Sequence, residues 1–274
     1  MTPPDAPLVY RIAHPATGQP TLARRRGDRW FALSHSLPQL HRYLRQHSTL
    51  PDGTPIGIEG PDGPSLLAPC QPSKIICVGL NYQHHADEMN KAVPDEPLLF
   101  MKPPTSVIAT GEAIVLPPAS QEVHHEGELA IVIGTRLDAC DEASATEAIV
   151  GYSCACDVTA RDIQRREQRY TRAKGYRTFA PLGPAIAVAP HFKPQDHRLR
   201  CHVDGELRQQ SSLDDFIFPI PRVLAFISQI MPLMPGDVVL TGTPAGVGPI
   251  EDGQRVTVSI EGIGTLENPV VSGV

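Results

Sequence analysis

Short apolar runs broken by turn residues set the texture of this chain. "KIICVGL", "PLLFMK", "ELAIVIG", "IVGYSCACDV", "GPAIAVA", "LRCHVDGEL", "DVVLTG" and "RVTVSIEG" follow one another from Lys74 to Gly262, with turn signals between them. That spacing predicts a mostly β domain of the α+β class, a sandwich or roll. Helical patterns are fewer. "DEASATEAIVG" opens with acidic and small residues ahead of a strand, and "IPRVLAFISQIM" carries apolar residues at helical spacing.

The first part of the chain has a different rhythm. "LVYRIA" and "RWFALS" have strand composition, "ATGQP" and "RRRGDR" supply turns, and a short helix is expected at "LPQLHRYLRQ". "LPDGTPIGIEGPDGPSLLAPCQPSK" is dense in proline and glycine and reads as a connector. The shift predicts a small β-rich N-terminal domain with its linker at 1–72 and a main domain at 73–274. No internal repeat or low-complexity tract is visible.

Composition narrows the function more than the fold. With 274 residues, 41% hydrophobic and 20% charged, the chain can bury a sizeable core. A formal charge of -6 provides no basic field, which argues against nucleic acid as a partner. The 29 prolines and 22 glycines fit many turns between short strands. The first residues lack a basic region followed by an apolar run, and no stretch is long enough to cross a bilayer. The expectation is a cytoplasmic protein with no membrane partner. Its six cysteines form no CxxC pair, and Cys154 and Cys156 read as buried free thiols.

Candidate chemistry begins at "HHEGELAIVIG". On a regular strand His124, Glu126 and Glu128 share one side and His125 lies opposite. Two carboxylates about 7 Å apart along a strand repel unless something positive sits between them. The same pattern fits the solvated face of an edge strand. Two features weigh against that: "LAIVIG" is continuously apolar, as in a strand covered on both faces, and Asp157 ends the next such run, where an unpaired carboxylate is unfavourable. If the two strands are neighbours, three carboxylates converge, a set that suits Mg²⁺ or Ca²⁺ better than zinc.

Six stretches in order, "CVGLNYQHHADEMN", "HHEGELAIVIG", "GYSCACDVTARDIQ", "RAKGYRTFAPLGP", "GELRQ" and "MPGDVVLTGTPAGVG", resemble the fumarylacetoacetate hydrolase family. The similarity is nearest to its acylpyruvase-like and homoprotocatechuate-pathway isomerase/decarboxylase members. It spans roughly residues 74 to 270 and leaves the region before residue 72 outside. The resemblance implies a mixed β-sandwich roll, a homodimer, a small 2-keto acid as substrate, and one Mg²⁺ or Mn²⁺ held by Glu126, Glu128 and Asp157. His124 is expected to hydrogen-bond beside the ligands, and His125 to serve packing or face solvent.

The family's NYxxHxxE pattern falls on Asn81, Tyr82, His85 and Glu88. On a helix His85 and Glu88 are one turn apart, and a carboxylate beside an imidazole suits a general base. The polar "KAVPDEP" that follows suggests a lid that orders over substrate. Lys174 matches a family lysine that faces the substrate and can stabilise an enolate. Arg161 and Gln164 match pocket-lining positions, and Asp162 a structural one. "LTGTPAGVG" can turn tightly and offer backbone N–H groups or Thr243 to an anion. Two departures, Arg177 where an acid is common and Cys156 ahead of Asp157, bear on substrate choice.

The expected reaction is metal-dependent hydrolytic cleavage of a carbon–carbon bond in a 2,4-diketo acid, with His85 and Glu88 activating water. The alternative is decarboxylation or isomerisation of a 2-keto or 2-hydroxymuconate-type diacid through the same enolate. A catalytically silent keto-acid-binding protein is the non-enzyme alternative, since one fold hosts several functions.

Overall fold

The computed structural model describes residues 7–57, 63–83 and 93–273. His85, Glu88 and the helical part of the expected lid lie outside the described residues.

The two most continuously apolar runs form the centre of the largest sheet. Gly127–Ile133 and Ile149–Cys156 are buried at every position and pair antiparallel. A strand covered on both faces loses the alternation that marks a half-exposed one. Successive side chains still point to opposite sides: Leu129, Ile131 and Ile133 enter one core, Ala130 and Val132 another. Each fully buried large apolar side chain contributes roughly 1.5–3 kcal/mol, so the middle of this sheet is its most stable part.

The sheet extends in both directions. On one side Val238–Leu240 pairs antiparallel with Gly127–Ile133 and parallel with Ile75–Gly79, and Leu98–Lys102 closes that edge. On the other side Ile149–Cys156 pairs with Ala180–Val188, which takes Leu8–Ala13 as its next neighbour. Pro20–Arg26, Arg29–Ala32 and Thr54–Ile56 continue to the far edge. The N-terminal strands therefore extend the main sheet, through Leu8↔Ala187 and Val9↔Ile186, while Ile12, Ala23, Trp30 and Ile56 form a small cluster of their own.

A second sheet runs Glu206–Ser212, Arg198–Val203, Arg255–Ile260, Gly264–Ser272 and Ile114–Leu116. Its Leu199, Cys201, Val256 and Val258 meet Leu129, Ile131 and Cys154 of the large sheet in one core, joined by Val223, Leu224 and Ile227 of the helix Ile220–Ile230. The core on the opposite face takes Leu40 and Leu44 from the helix Leu37–Leu44. That helix starts at Ser36, whose N–H donates to Gln39 Oε1 at 2.7 Å. The helix Glu142–Glu147 is capped by Asp141, which accepts from Ser144 N at 2.8 Å. Helices line a mostly β roll, the expected α+β class.

The run "LRCHVDGEL" is two strands. Arg198–Val203 and Glu206–Ser212 turn back at Asp204 and Gly205, both at positive φ (50° and 80°), the two-residue turn whose twist suits a hairpin. The six cysteines are free, and Cys154 and Cys156 are buried. No helix among the described residues is long and apolar enough to cross a membrane.

Candidate active site

The acids sit where the large sheet meets a small one. Val123–His125 pairs with Thr159–Ala160 and Gly248–Pro249, and two residues further on Gly127–Ile133 belongs to the large sheet. Glu126 is the joint. Its carbonyl accepts from Asp157 N at 2.8 Å, and Glu122 O accepts from Arg161 N at 2.7 Å, so backbone bonds lace the two acidic segments together. The regular strand expected across 124–128 is broken here. The alternation survives the passage between sheets: His124 and Glu126 both meet Arg161, while His125 and Gly127 both meet Gln209, and His124 is not among the groups that converge. Its Nε2 lies 3.0 Å from Glu122 Oε1 and its Nδ1 3.5 Å from Arg161 Nε.

Glu126, Glu128 and Asp157 are 5%, 2% and 0% exposed, and each brings a carboxylate oxygen within 4.8 Å of the others. Buried acids this close need positive charge. Lys174, buried at the end of the helix Tyr170–Lys174, places Nζ 2.8 Å from Glu126 Oε2 and 2.5 Å from Asp157 Oδ2. Arg161 ion-pairs with Glu126 Oε1 and donates to Gln164 Oε1 at 2.5 Å. Lys102, fully buried, donates to Asp157 Oδ1 at 2.5 Å and to Val158 O at 3.1 Å. Sequence reasoning missed Lys102. A lysine closing an apolar run just before Pro103 and Pro104 gives no distinct signal, since only the fold shows that it is buried against an acid.

Glu128 is treated differently from its neighbours. Its Oε2 accepts from Gly242 N at 2.7 Å, and no lysine or arginine among the described residues pairs with it. Burial, then the charges of Asp157 and Glu126, push its carboxyl well above the usual carboxylate range. For Glu126 burial acts the same way, but Lys174 and Arg161 more than reverse it and hold the group well below that range. Burial likewise opposes the charge on Lys174, and Asp157 and Glu126 outweigh it, so the ammonium is held protonated.

Gly242 must be a glycine to serve Glu128. It has φ of 96°, and a Cβ there would stand 2.9 Å from Asn81 Cβ and 3.0 Å from Val78 O. Asn81 braces the same loop: its Nδ2 donates to Thr241 O at 2.8 Å, and its Oδ1 accepts from Phe218 N at 2.8 Å.

Arg161, Gln164, Lys174 and Thr243 line one cleft with the three acids, and Val78, Leu98, Phe100 and Tyr170 complete its wall. Phe100 and Tyr170 meet edge to face at 5.0 Å, and Lys174 Nζ lies 4.8 Å from the Phe100 ring centre. The Thr243 hydroxyl is committed within the protein, donating to Gly127 O at 2.8 Å. Asp162 accepts from Ser120 Oγ at 2.6 Å and from Gln121 N at 3.1 Å, a bracing role. His125 is buried, and desolvation pushes it down to about 4, so it is neutral. Burial pushes the Cys156 thiol up to about 12, which leaves it inert. Arg177 is exposed and is not among the residues lining the cleft.

A corner of three buried carboxylates, all oxygen donors and one of them without a paired cation among the described residues, fits a hard divalent ion. That corner, on a β roll and beside a charged lysine, marks a class of enzyme whose site could hold such an ion. Residues 74–271 match the fumarylacetoacetate (FAA) hydrolase C-terminal family, and the chain belongs to it, as an enzyme of that family. The mitochondrial oxaloacetate tautomerase FAHD1 of Arabidopsis thaliana is 42% identical over 201 residues, covering 72% of this chain and 90% of the relative. The structure of 5-carboxymethyl-2-hydroxymuconate delta-isomerase from Mycobacterium smegmatis superposes with a TM-score of 0.82 at 41% identity, over 97% of this chain and 99% of that one. That of 2-hydroxyhepta-2,4-diene-1,7-dioate isomerase from Mycobacterium marinum gives 0.82 at 38% identity, with the same coverage of 97% and 99%. Likeness to these two structures extends through the N-terminal region that the family match leaves out.

Proposed function

We propose that this enzyme moves a proton along a small 2-keto or 2-hydroxy-enoic diacid, as a tautomerase or isomerase, with Mg²⁺ or Mn²⁺ at Glu126, Glu128 and Asp157. The observation that carries the proposal is the buried trio itself, with Lys174 touching two of its members.

Charge balance supports the substrate class. The three carboxylates face Lys102, Lys174 and Arg161, so the formal side-chain charges cancel. A divalent cation adds two positive charges to a buried corner, where uncompensated charge is strongly unfavourable. The reacting end of a 2-keto diacid in its enolate form carries one negative charge on the adjacent carboxylate and one on oxygen, and so restores neutrality at the corner, while the second carboxylate would have to find donors beyond it.

When bound, the divalent ion supplies Lewis-acid polarisation of the substrate's keto group. Lys174 is held protonated, so it acts as a charge and a hydrogen-bond donor beside the forming enolate and not as a proton acceptor. Arg161 fixes the Glu126 carboxylate and, with Gln164, presents donors to one end of the substrate. Phe100, Tyr170 and Leu98 form the apolar wall that excludes water from the reacting atoms. Proton movement falls to His85 and Glu88, the pair expected from the sequence and outside the described residues.

The relatives named above are a tautomerase and two isomerases, which supports proton relocation over carbon–carbon cleavage. Hydrolysis of a 2,4-diketo acid would share the enolate but would also need an attacking water. The family resemblance supports a homodimer acting on free small molecules, and sedimentation would test the dimer.

The deciding experiment measures rates on the oxaloacetate enol, 5-carboxymethyl-2-hydroxymuconate and an acylpyruvate, with Mg²⁺, Mn²⁺ or excess chelator. The expected result is metal-dependent isomerisation faster than acylpyruvate cleavage, and silent in chelator. Faster acylpyruvate cleavage would make the enzyme a hydrolase. Full activity in chelator would remove the ion from the mechanism.

A further inference from the structure

One buried amide ties the acidic corner to the loop that follows Val238–Leu240. Gln209 is 1% exposed on the strand Glu206–Ser212 of the second sheet, and its side chain reaches the turn between the two glutamates. Its Oε1 accepts from Gly127 N at 2.9 Å, and its Nε2 donates to Thr243 Oγ1 at 2.7 Å and Pro244 O at 2.8 Å. Thr243 Oγ1 in turn donates to Gly127 O at 2.8 Å, which closes a ring. The partners fix the amide's orientation, because only its oxygen can accept from an N–H and only its nitrogen can donate to a carbonyl. The neutral His125 places Nδ1 3.2 Å from the same Gln209 oxygen.

The position of this ring gives it its consequence. Gly127 N belongs to the peptide shared with Glu126, and Gly127 O to the peptide shared with Glu128. The ring therefore grips both peptide units that separate the two carboxylates. A Cβ on Gly127 would lie 3.0 Å from Cys201 Cβ and 3.4 Å from Gln209 Oε1, so the second sheet presses directly on the turn. On the loop side, the residue before Thr243 is Gly242, whose N–H holds Glu128.

We propose that Gln209 is a positioning residue that sets the spacing of Glu126 and Glu128 and locks the Thr243 loop to it. It touches no substrate atom in this role and acts through the acids. The inference rests on the metal reading of the trio given above.

The test compares Gln209→Leu, Gln209→Glu, Thr243→Val and the double variant Gln209→Leu/Thr243→Val with wild type. The exposed neighbour Gln210→Leu, whose amide oxygen accepts from Arg200 Nε, is the control. Mn²⁺ affinity is read by calorimetry, and hydrogen exchange is read at the Gly127 and Gly242 amides. Gln209→Leu and Thr243→Val should each weaken Mn²⁺ binding by about 10–100-fold, as loss of a ligand-orienting partner does. The double variant should be no weaker than the worse single one, because both break one ring. Exchange at both amides should accelerate, Gln209→Glu should fall between Leu and wild type, and Gln210→Leu should match wild type.

Wild-type Mn²⁺ affinity with unchanged Gly242 exchange in a folded Gln209→Leu would overturn the proposal, as would additive losses in the double variant. If the leucine variant does not fold, Gln209→Glu, of nearly the same shape, is judged by the same two readouts. A wild-type protein that binds no Mn²⁺ refutes the metal reading instead, and the exchange rates alone then decide the role of Gln209.

Discussion

Two buried carboxylate sites in this protein are built to opposite rules. Asp237 is saturated: its Oδ1 accepts from Ser73 N at 2.9 Å, Ser73 Oγ at 2.6 Å and Lys74 N at 3.2 Å, and its Oδ2 from Lys74 Nζ at 2.5 Å and Met234 N at 2.8 Å. Those bonds pin the entries of the parallel strands Ile75–Gly79 and Val238–Leu240. At the acidic corner, by contrast, Glu128 accepts one N–H among the described residues, and the like charges of Asp157 and Glu126 outweigh the opposing charge of Lys174. A buried acid with every lone pair met holds the fold together, whereas one left short is kept for a visitor.

The largest expected effect tests the corner. Glu128→Gln should lower turnover by more than about 100-fold, beyond the upper end for residues that only orient ligands, and should weaken Mn²⁺ binding in a calorimetric titration. The same change removes like-charge repulsion, so the metal-free variant should melt at a higher temperature than wild type. A lower melting temperature would show that Glu128 is a structural acid like Asp237.

The mirror experiment is Asp237→Ala. Removing one partner of a buried, fully bonded pair typically destabilises by about 3–5 kcal/mol, which for a chain of this size lowers the melting temperature on the order of 10 °C. Mn²⁺ affinity should stay at the wild-type value. A large loss of affinity would mean that the clamp and the corner are one unit.

Acidity sharpens the contrast, because the two sites have opposite slopes. Burial raises the Asp237 carboxyl, but its bonds from Lys74, Ser73 and Met234 outweigh burial and hold it below the ordinary value of 3.8. Its stabilisation is therefore complete above that value and is lost as pH falls through the depressed one. The deficit of Asp237→Ala should shrink in acid. Glu128 is raised above its ordinary 4.5, so its penalty on the metal-free fold appears as pH climbs past that value. The advantage of Glu128→Gln should grow toward neutral pH, and denaturant titrations at a series of pH values would read both trends. The smallest effect belongs to an exposed pair of the same chemistry. Arg45 and Glu147 meet at 2.9 Å with side chains 48% and 64% exposed, and Arg45→Ala should change stability by less than about 1 kcal/mol.

What could be read from the chain follows the same physics. The trio was legible because an acid inside an apolar run is a local contradiction, visible in Glu126, Glu128 and Asp157 without a structure. Lys102 was not, because a lysine at a strand end looks the same whether it meets solvent or a buried acid. The central strands were legible from their unbroken apolar runs. The break at Glu126 was hidden, since passing between sheets is a tertiary event that leaves the residue pattern of one strand. Asp204 and Gly205 did carry a hairpin signal, masked by the apolar residues on either side. The N-terminal strands showed their type but not their neighbour, because nothing local to Leu8 names Ala187.

That last pairing has a consequence for how the chain is made. Leu8–Ala13 leaves the ribosome well before the strand it docks on, Ala180–Val188, is synthesised. Closing so long a loop is entropically slow, and contacts this distant in sequence delay folding. A strand translated early would thus stay an unsealed ribbon until its neighbour arrives, and is expected to be among the later pieces to find its place.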